Sequence, residues 1–91
     1  MNALIGDIGN TTTKICLIEI ETFKIKKIIY FNSSYILSKH ILKKKLTKIL
    51  KNKSINKIAL FSSVVMKYQL VLRKFLKTKY QIHLKEIKEK N

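Results

Sequence analysis

A chain of 91 residues encloses one modest core and leaves no room for a two-lobed site with a closed cleft. A hydrophobic content of 46% excludes a disordered tail despite a formal charge of +15, and no apolar run nears the roughly 18 residues of a membrane span. Cys16 is the sole cysteine, which excludes an internal disulfide and fits a reducing cytoplasm, and the first residues show no secretory pattern. The charge predicts attraction to nucleic acid or anionic surfaces, steepest at low salt. Against that, Arg73 is the only arginine among 20 basic residues, and specific readers of phosphates and bases favour the planar guanidinium fork. With abundant isoleucine and asparagine and no proline or tryptophan, the lysines read first as a compositional bias.

In chain order, Ala3 to Asp7 is a short apolar run expected to form a buried strand. Thr13 to Ile20 is rich in β-branched residues and alternates, with Lys14, Cys16 and Ile18 on one face and Ile15, Leu17 and Glu19 on the other. Gly9 and Asn10, residue types that accept positive φ, make a tight connection between them. A third strand is expected from Phe23 or Lys24 to Phe31, after a Glu21–Thr22 turn that carries no glycine. Asn32, Ser33 and Ser34 offer helix caps. A helix from about Tyr35 to Leu50 places Leu42, Leu46, Ile49 and Leu50 on one stripe, with Lys43 to Lys45 largely off it.

The stretch KNKSIN is a polar break, and Lys57 to Ser62 reads as a fourth, buried strand. A second helix, from about Val65 to Lys77, carries Tyr68, Leu72, Phe75 and Leu76 on one face. Gln81 to Leu84 begins a fifth strand, and KEIKEKN is a charged tail. The order β-β-β-α-β-α-β implies an α/β fold with a mixed sheet: early hairpins supply antiparallel strands and the helices allow parallel crossovers.

One stretch, GDIGNTTTK from Gly6 to Lys14, holds both glycines, the only aspartate and three consecutive threonines. Two readings of it stand on the residues alone. In the first it is a phosphate cradle, with the glycine admitting close backbone approach and amides and threonine hydroxyls donating to the anion. Asp7 beside phosphates would be repelled unless a cation lay between, so its natural role is with Mg²⁺ or its water shell, and Lys14 adds positive charge. In the second it is a structural β-hairpin whose threonines are good strand formers. The P-loop pattern fails because the glycines are three apart and a strand follows, and the dinucleotide fingerprint fails for want of a third glycine and a helix.

The stretch DIGNTTTKICLIE resembles the first phosphate motif of type III pantothenate kinases, in which a strand leads into D-[IV]-G-N-T and a second strand. IALFSSVVMKYQLVLRKFL resembles that family's strand ending in I-S-S-V-V-P and its following helix, at about the right distance. The resemblance implies a ribonuclease-H-like (actin-like ATPase) half-lobe, with residues 1–91 as the N-terminal part and the second lobe absent. It further implies ATP, Mg²⁺ and a monovalent cation (K⁺ or NH₄⁺) as cofactors. Pantothenate and ATP would be the substrates, in the first step of coenzyme A synthesis. Asp7, Ile8, Gly9, Asn10, Thr11, Thr12, Thr13 and Lys14 would form the phosphate site, with Asp7 associated with the metal. Family members are usually cytoplasmic homodimers, and some homologues are described as accessory transcription factors.

The departures are specific. The family's G-x-D-R motif, whose aspartate accepts the pantothenate hydroxyl proton, and its second phosphate segment have no counterpart here, since Asp7 is the only aspartate. Met66 stands where a proline is expected after S-S-V-V, and FNSSYILSKH lacks the usual Arg/Thr/Asp-rich segment. The catalytic base is therefore unassigned, and the expectation is a chain that does not turn over alone. The alternative is a small basic nucleic-acid-binding or accessory regulatory protein whose hairpin is only structural, drawing on Lys39, Lys43 to Lys45, Lys48, Lys51 and Lys53. His40 and His83 show no ligand spacing with Cys16 and read as ordinary histidines, and Cys16 reads as a small buried hydrophobe. Ser62 and Ser63 have no acid–base partner in view and take no catalytic role. No membrane partner is expected, because the helix faces are needed to cover the sheet.

Overall fold

The computed structural model describes residues 1–51 and 54–87. Its elements are β1 (Asn2–Ile8), β2 (Thr12–Glu19), β3 (Ile25–Asn32), a short 3₁₀ helix (Ser33–Leu37), α1 (Lys39–Leu50), β4 (Ile58–Ser63), α2 (Met66–Tyr80) and β5 (His83–Glu86). Residues 52 and 53 of the polar break, with Lys53, and the tail beyond Ile87 lie outside the described residues.

The strands form one five-stranded sheet in the order β3-β2-β1-β4-β5. β1, β2 and β3 pair antiparallel as successive hairpins, whereas β4 lies parallel to β1 and β5 parallel to β4. Each parallel join is spanned by a helix, because a parallel neighbour cannot be reached by a tight turn. This is the ribonuclease-H-like arrangement, a mixed α/β sheet, and it matches the order read from the sequence.

Alternation along the strands separates two faces. Leu4 and Ile8 of β1, Ile15 and Leu17 of β2, Ala59 and Phe61 of β4 and Leu84 of β5 are buried on one face. They share a core with Leu42, Leu46, Ile49 and Leu50 of α1 and Leu72, Phe75 and Leu76 of α2. Burying each such leucine or isoleucine contributes roughly 1.5–3 kcal/mol, so this face holds the fold together. On the other face Ile28, Tyr30, Ile58 and Leu60 are exposed. β3 is an edge strand carrying Lys26 and Lys27, both exposed, which blunt it against pairing with other chains.

Several local expectations change. The helix read from Tyr35 to Leu50 is two elements. Asn32 caps the 3₁₀ helix, its Oδ1 accepting from Ser34 N at 3.0 Å, and Ser38 caps α1, its Oγ accepting from Ile41 N at 3.4 Å. A serine competing locally for backbone amides breaks the helix where the apolar stripe gave no warning. The join between β2 and β3, made without glycine, is closed by Phe23 in the left-handed region at φ 56°. α2 runs on to Tyr80 and stops where Gln81 takes φ 56°, ψ 33°, so Gln81 is a helix cap and the fifth strand starts at His83. Tyr68 packs partly buried against the core, and Gln69, which the apolar stripe did not include, is buried beside it.

Candidate phosphate-binding turn

The site lies at the carboxyl end of β1, where the chain leaves the sheet between β2 and the parallel neighbour β4. Open α/β sheets bind ligands outside the carboxyl ends of their strands, so the position itself is a chemical clue.

The two glycines do different work. Gly6 faces the core, where an added Cβ would clash with Phe61 Cε2 and meet the Lys14 carbonyl oxygen at 2.8 Å. It is the gap into which the buried Phe61 ring fits, and it serves packing, not phosphate. Gly9 sits in the turn, where a Cβ would meet the Thr12 carbonyl oxygen at 2.8 Å. Neither glycine has positive φ, nor does Asn10, so the turn does not use the left-handed geometry that the Gly-Asn pair suggested. Glycine is needed here for close approach of two backbone segments, Gly9 N donating to Thr12 O at 3.0 Å.

Ser33, just beyond β3, fixes the shape of this turn. Its N–H donates to Thr11 O at 2.7 Å and its hydroxyl to Gly9 O at 2.7 Å. The Thr13 hydroxyl lies 2.7 Å from the Ser33 hydroxyl. Since Ser33 has one hydroxyl proton and gives it to Gly9, Thr13 must donate to Ser33. Both side chains are fully buried. Ser33 was legible only as a cap; nothing local in the sequence tells that its side chain reaches back 24 positions to Gly9.

Of the eight residues singled out, five are exposed around the turn: Asp7, Asn10, Thr11, Thr12 and Lys14. Among the described residues, neither the N–H groups of Asn10 and Thr11 nor the hydroxyls of Thr11 and Thr12 are engaged within the chain. They are free donors. Thr13 is not, because its hydroxyl is buried and committed to Ser33. Ile8 is buried and its carbonyl accepts from Val64 N at 3.1 Å, so only its backbone borders the site.

Asp7 occupies a cross-strand row. Lys14 is its partner on β2 and Ser62 its partner on β4, with Tyr30 beyond Lys14 on β3. Ser62 Oγ donates to Asp7 Oδ1 at 2.7 Å, the contact that sequence reading missed when it gave Ser62 no partner. Lys14 makes no ion pair with Asp7; among the described residues the single salt bridge joins the Met1 ammonium to Glu21 at 2.9 Å. That contact, remote from the turn, holds the exposed Glu21 carboxyl below its ordinary range through the ammonium hydrogen bond.

No group of three or more His, Cys, Asp or Glu side chains among the described residues could cage a metal ion. His40 and His83 are exposed and separate, and Cys16 is a buried free thiol. A lone exposed carboxylate beside free amide and hydroxyl donors nonetheless suits Mg²⁺, which is commonly held by one or two carboxylates together with substrate phosphates and water. Two cavities of about 250 and 260 Å³ lie elsewhere, the first around Thr47, Ile55 and Tyr80, the second between α1 and α2. Neither borders the turn. Lys39, Lys43, Lys44, Lys48 and Lys51 are exposed, and no described helix is long and apolar enough to cross a membrane.

The sheet order and this donor-lined turn define the chain as a ribonuclease-H-like α/β unit with a candidate anion site at the end of its first strand. No family model matches the sequence. It is 43% identical over 89 residues to the type III pantothenate kinase of Pelagibacter ubique (strain HTCC1062). That alignment takes in 97% of this chain and 35% of the kinase. The chain is thus a relative of type III pantothenate kinase that spans about a third of that protein's length. Two solved structures of Ppx/GppA proteins from Aquifex aeolicus cover 96% of the chain, at 14% and 15% identity and TM-scores of 0.48 and 0.49. The chain covers 35% and 36% of those proteins, and at such scores the likeness assigns no function.

Proposed function

We propose that the chain is the N-terminal, nucleotide-phosphate-binding part of a type III pantothenate kinase, whose whole reaction is ATP-dependent phosphorylation of pantothenate at the start of coenzyme A synthesis. The observation that carries this reading is the end of β1, where Asp7 is exposed and the turn that follows it offers the free donors of Asn10, Thr11 and Thr12. In the proposal the amides of Asn10 and Thr11 and the hydroxyls of Thr11 and Thr12 hold phosphate oxygens. Lys14 adds a positive charge from β2, and Asp7 holds Mg²⁺, directly or through water. The metal supplies charge neutralisation between the carboxylate and the phosphates, the kind of positioning on which phosphoryl transfer depends.

The described residues offer no second carboxylate beside Asp7: Glu19 and Glu21 sit at the far end of β2 and Glu86 on β5. In this reading the group that accepts the pantothenate proton, the second lobe, the K⁺ or NH₄⁺ site, the dimer surface and a cytoplasmic setting belong to the whole kinase. Binding without turnover is therefore expected of residues 1–91.

Isothermal titration with Mg-ATP at 100 mM salt tests the proposal. Saturable binding is expected, weakened at least about tenfold by Asp7→Asn, a loss of about 1.4 kcal/mol. Binding that ignores Asp7→Asn and collapses with salt in the same way for ATP and for single-stranded nucleic acid would replace this reading with the basic binding module.

A further inference from the structure

The Ser62–Ser63–Val64–Val65 segment divides its labour between Asp7 and the start of α2. Ser63 Oγ donates to Val65 O at 3.0 Å and accepts from Val65 N at 3.2 Å, a local turn that launches the helix. Val64 N donates to Ile8 O at 3.1 Å, tying this turn to the end of β1. Ser62 is thereby held between a strand paired to β1 and a turn bonded to it. Its hydroxyl has a single proton, and that proton goes to Asp7 Oδ1 at 2.7 Å. A hydroxyl–carboxylate bond of this length is charge-assisted and stronger than a neutral one.

We infer that Ser62 is a positioning residue: it fixes the rotation of the Asp7 carboxylate so that Oδ1 is occupied and Oδ2 is presented to the metal that accompanies the phosphates. The inference rests on the proposed phosphate site and extends it from β1 to β4. A freely rotating exposed aspartate spends ordering entropy when it binds a cation; one already held by Ser62 spends less. Threonine keeps the donor at this position, whereas alanine removes it.

The test compares wild type, Ser62→Ala, Ser62→Thr, Asp7→Asn and the Asp7→Asn/Ser62→Ala double variant by isothermal titration, once with Mg-ATP and once with ATP in EDTA. Circular dichroism confirms that each is folded. Ser62→Ala is expected to weaken Mg-ATP binding about five- to tenfold, less than the full worth of a hydrogen bond to a charged group because only the ordering of Asp7 is lost. Ser62→Thr should bind within about twofold of wild type, and Ser62→Ala should have no further effect once Asp7 is asparagine. With metal chelated, wild type and Ser62→Ala should bind ATP equally, a pattern that a general loss of structure would not give. Equal Mg-ATP affinity for Ser62→Ala and wild type, or the same loss in EDTA, overturns the inference while leaving a binding site that depends on Asp7. A wild-type chain that does not bind Mg-ATP overturns the phosphate site and this inference together.

Discussion

Gly6→Ala is expected to cost the chain about 2 kcal/mol of stability, in the range of overpacked cores. The new Cβ would clash with Phe61 Cε2 and lie 2.8 Å from the Lys14 carbonyl oxygen. The carbonyl belongs to the β1–β2 ladder and cannot withdraw without breaking strand pairing, and the Phe61 ring is fully buried in the core. Lower unfolded-state entropy for alanine offsets some of this, by about 0.4–1 kcal/mol, and is already set against the figure. For a domain of this size the result is a fall in Tm of about 8–16 °C. Replacing Phe61 with leucine in the Gly6→Ala background should cost less than the sum of the two single changes, because the smaller side chain relieves the first clash. Strict additivity in thermal unfolding would show that the Phe61 ring is not what Gly6 accommodates.

Ser33→Ala is expected to have a comparable effect by the opposite route, removing a bond instead of adding an atom. It leaves the buried Thr13 hydroxyl without an acceptor and takes one donor from Gly9 O. An orphaned buried polar group costs about 1–3 kcal/mol. Adding Thr13→Val removes the orphan, so the double variant should recover part of the loss in chemical denaturation. If Ser33→Ala/Thr13→Val is no more stable than Ser33→Ala, the hydroxyl relay does not hold the turn. The Ser33 amide still donates to Thr11 O in both variants, which isolates the side chain's contribution.

The strands and helices were legible because their apolar periodicity is strong. Ile15 and Leu17 alternate against Lys14, and Leu42, Leu46, Ile49 and Leu50 recur at helical spacing; all six of these apolar residues are buried. The class of fold followed from order alone, since two hairpins precede two helical crossovers. What escaped was set by contacts distant in sequence. Gly6 and Gly9 looked alike in the motif, yet one is shaped by Phe61 on a parallel strand and the other by Thr12 in its own turn. Thr13 belonged to a run of three apparently equal hydroxyls until Ser33 took it out of reach of a ligand. The Ser62–Asp7 contact joins residues 55 positions apart and exists only because β4 lies parallel to β1 in the register Asp7↔Ser62. Local rules find elements; the site is assembled by the sheet.

Phosphate binding at the turn between β1 and β2 can be read residue by residue from amide chemical shifts. Uniformly ¹⁵N-labelled chain is titrated with Mg-ATP at 100 mM salt. Saturable shifts are expected at Asp7 to Lys14 and at Ser62, with small changes on α1 despite its lysines. Shifts spread over Lys39 to Lys51 that leave Asn10, Thr11 and Thr12 unmoved would contradict that expectation, and would make the turn a structural hairpin on a basic protein.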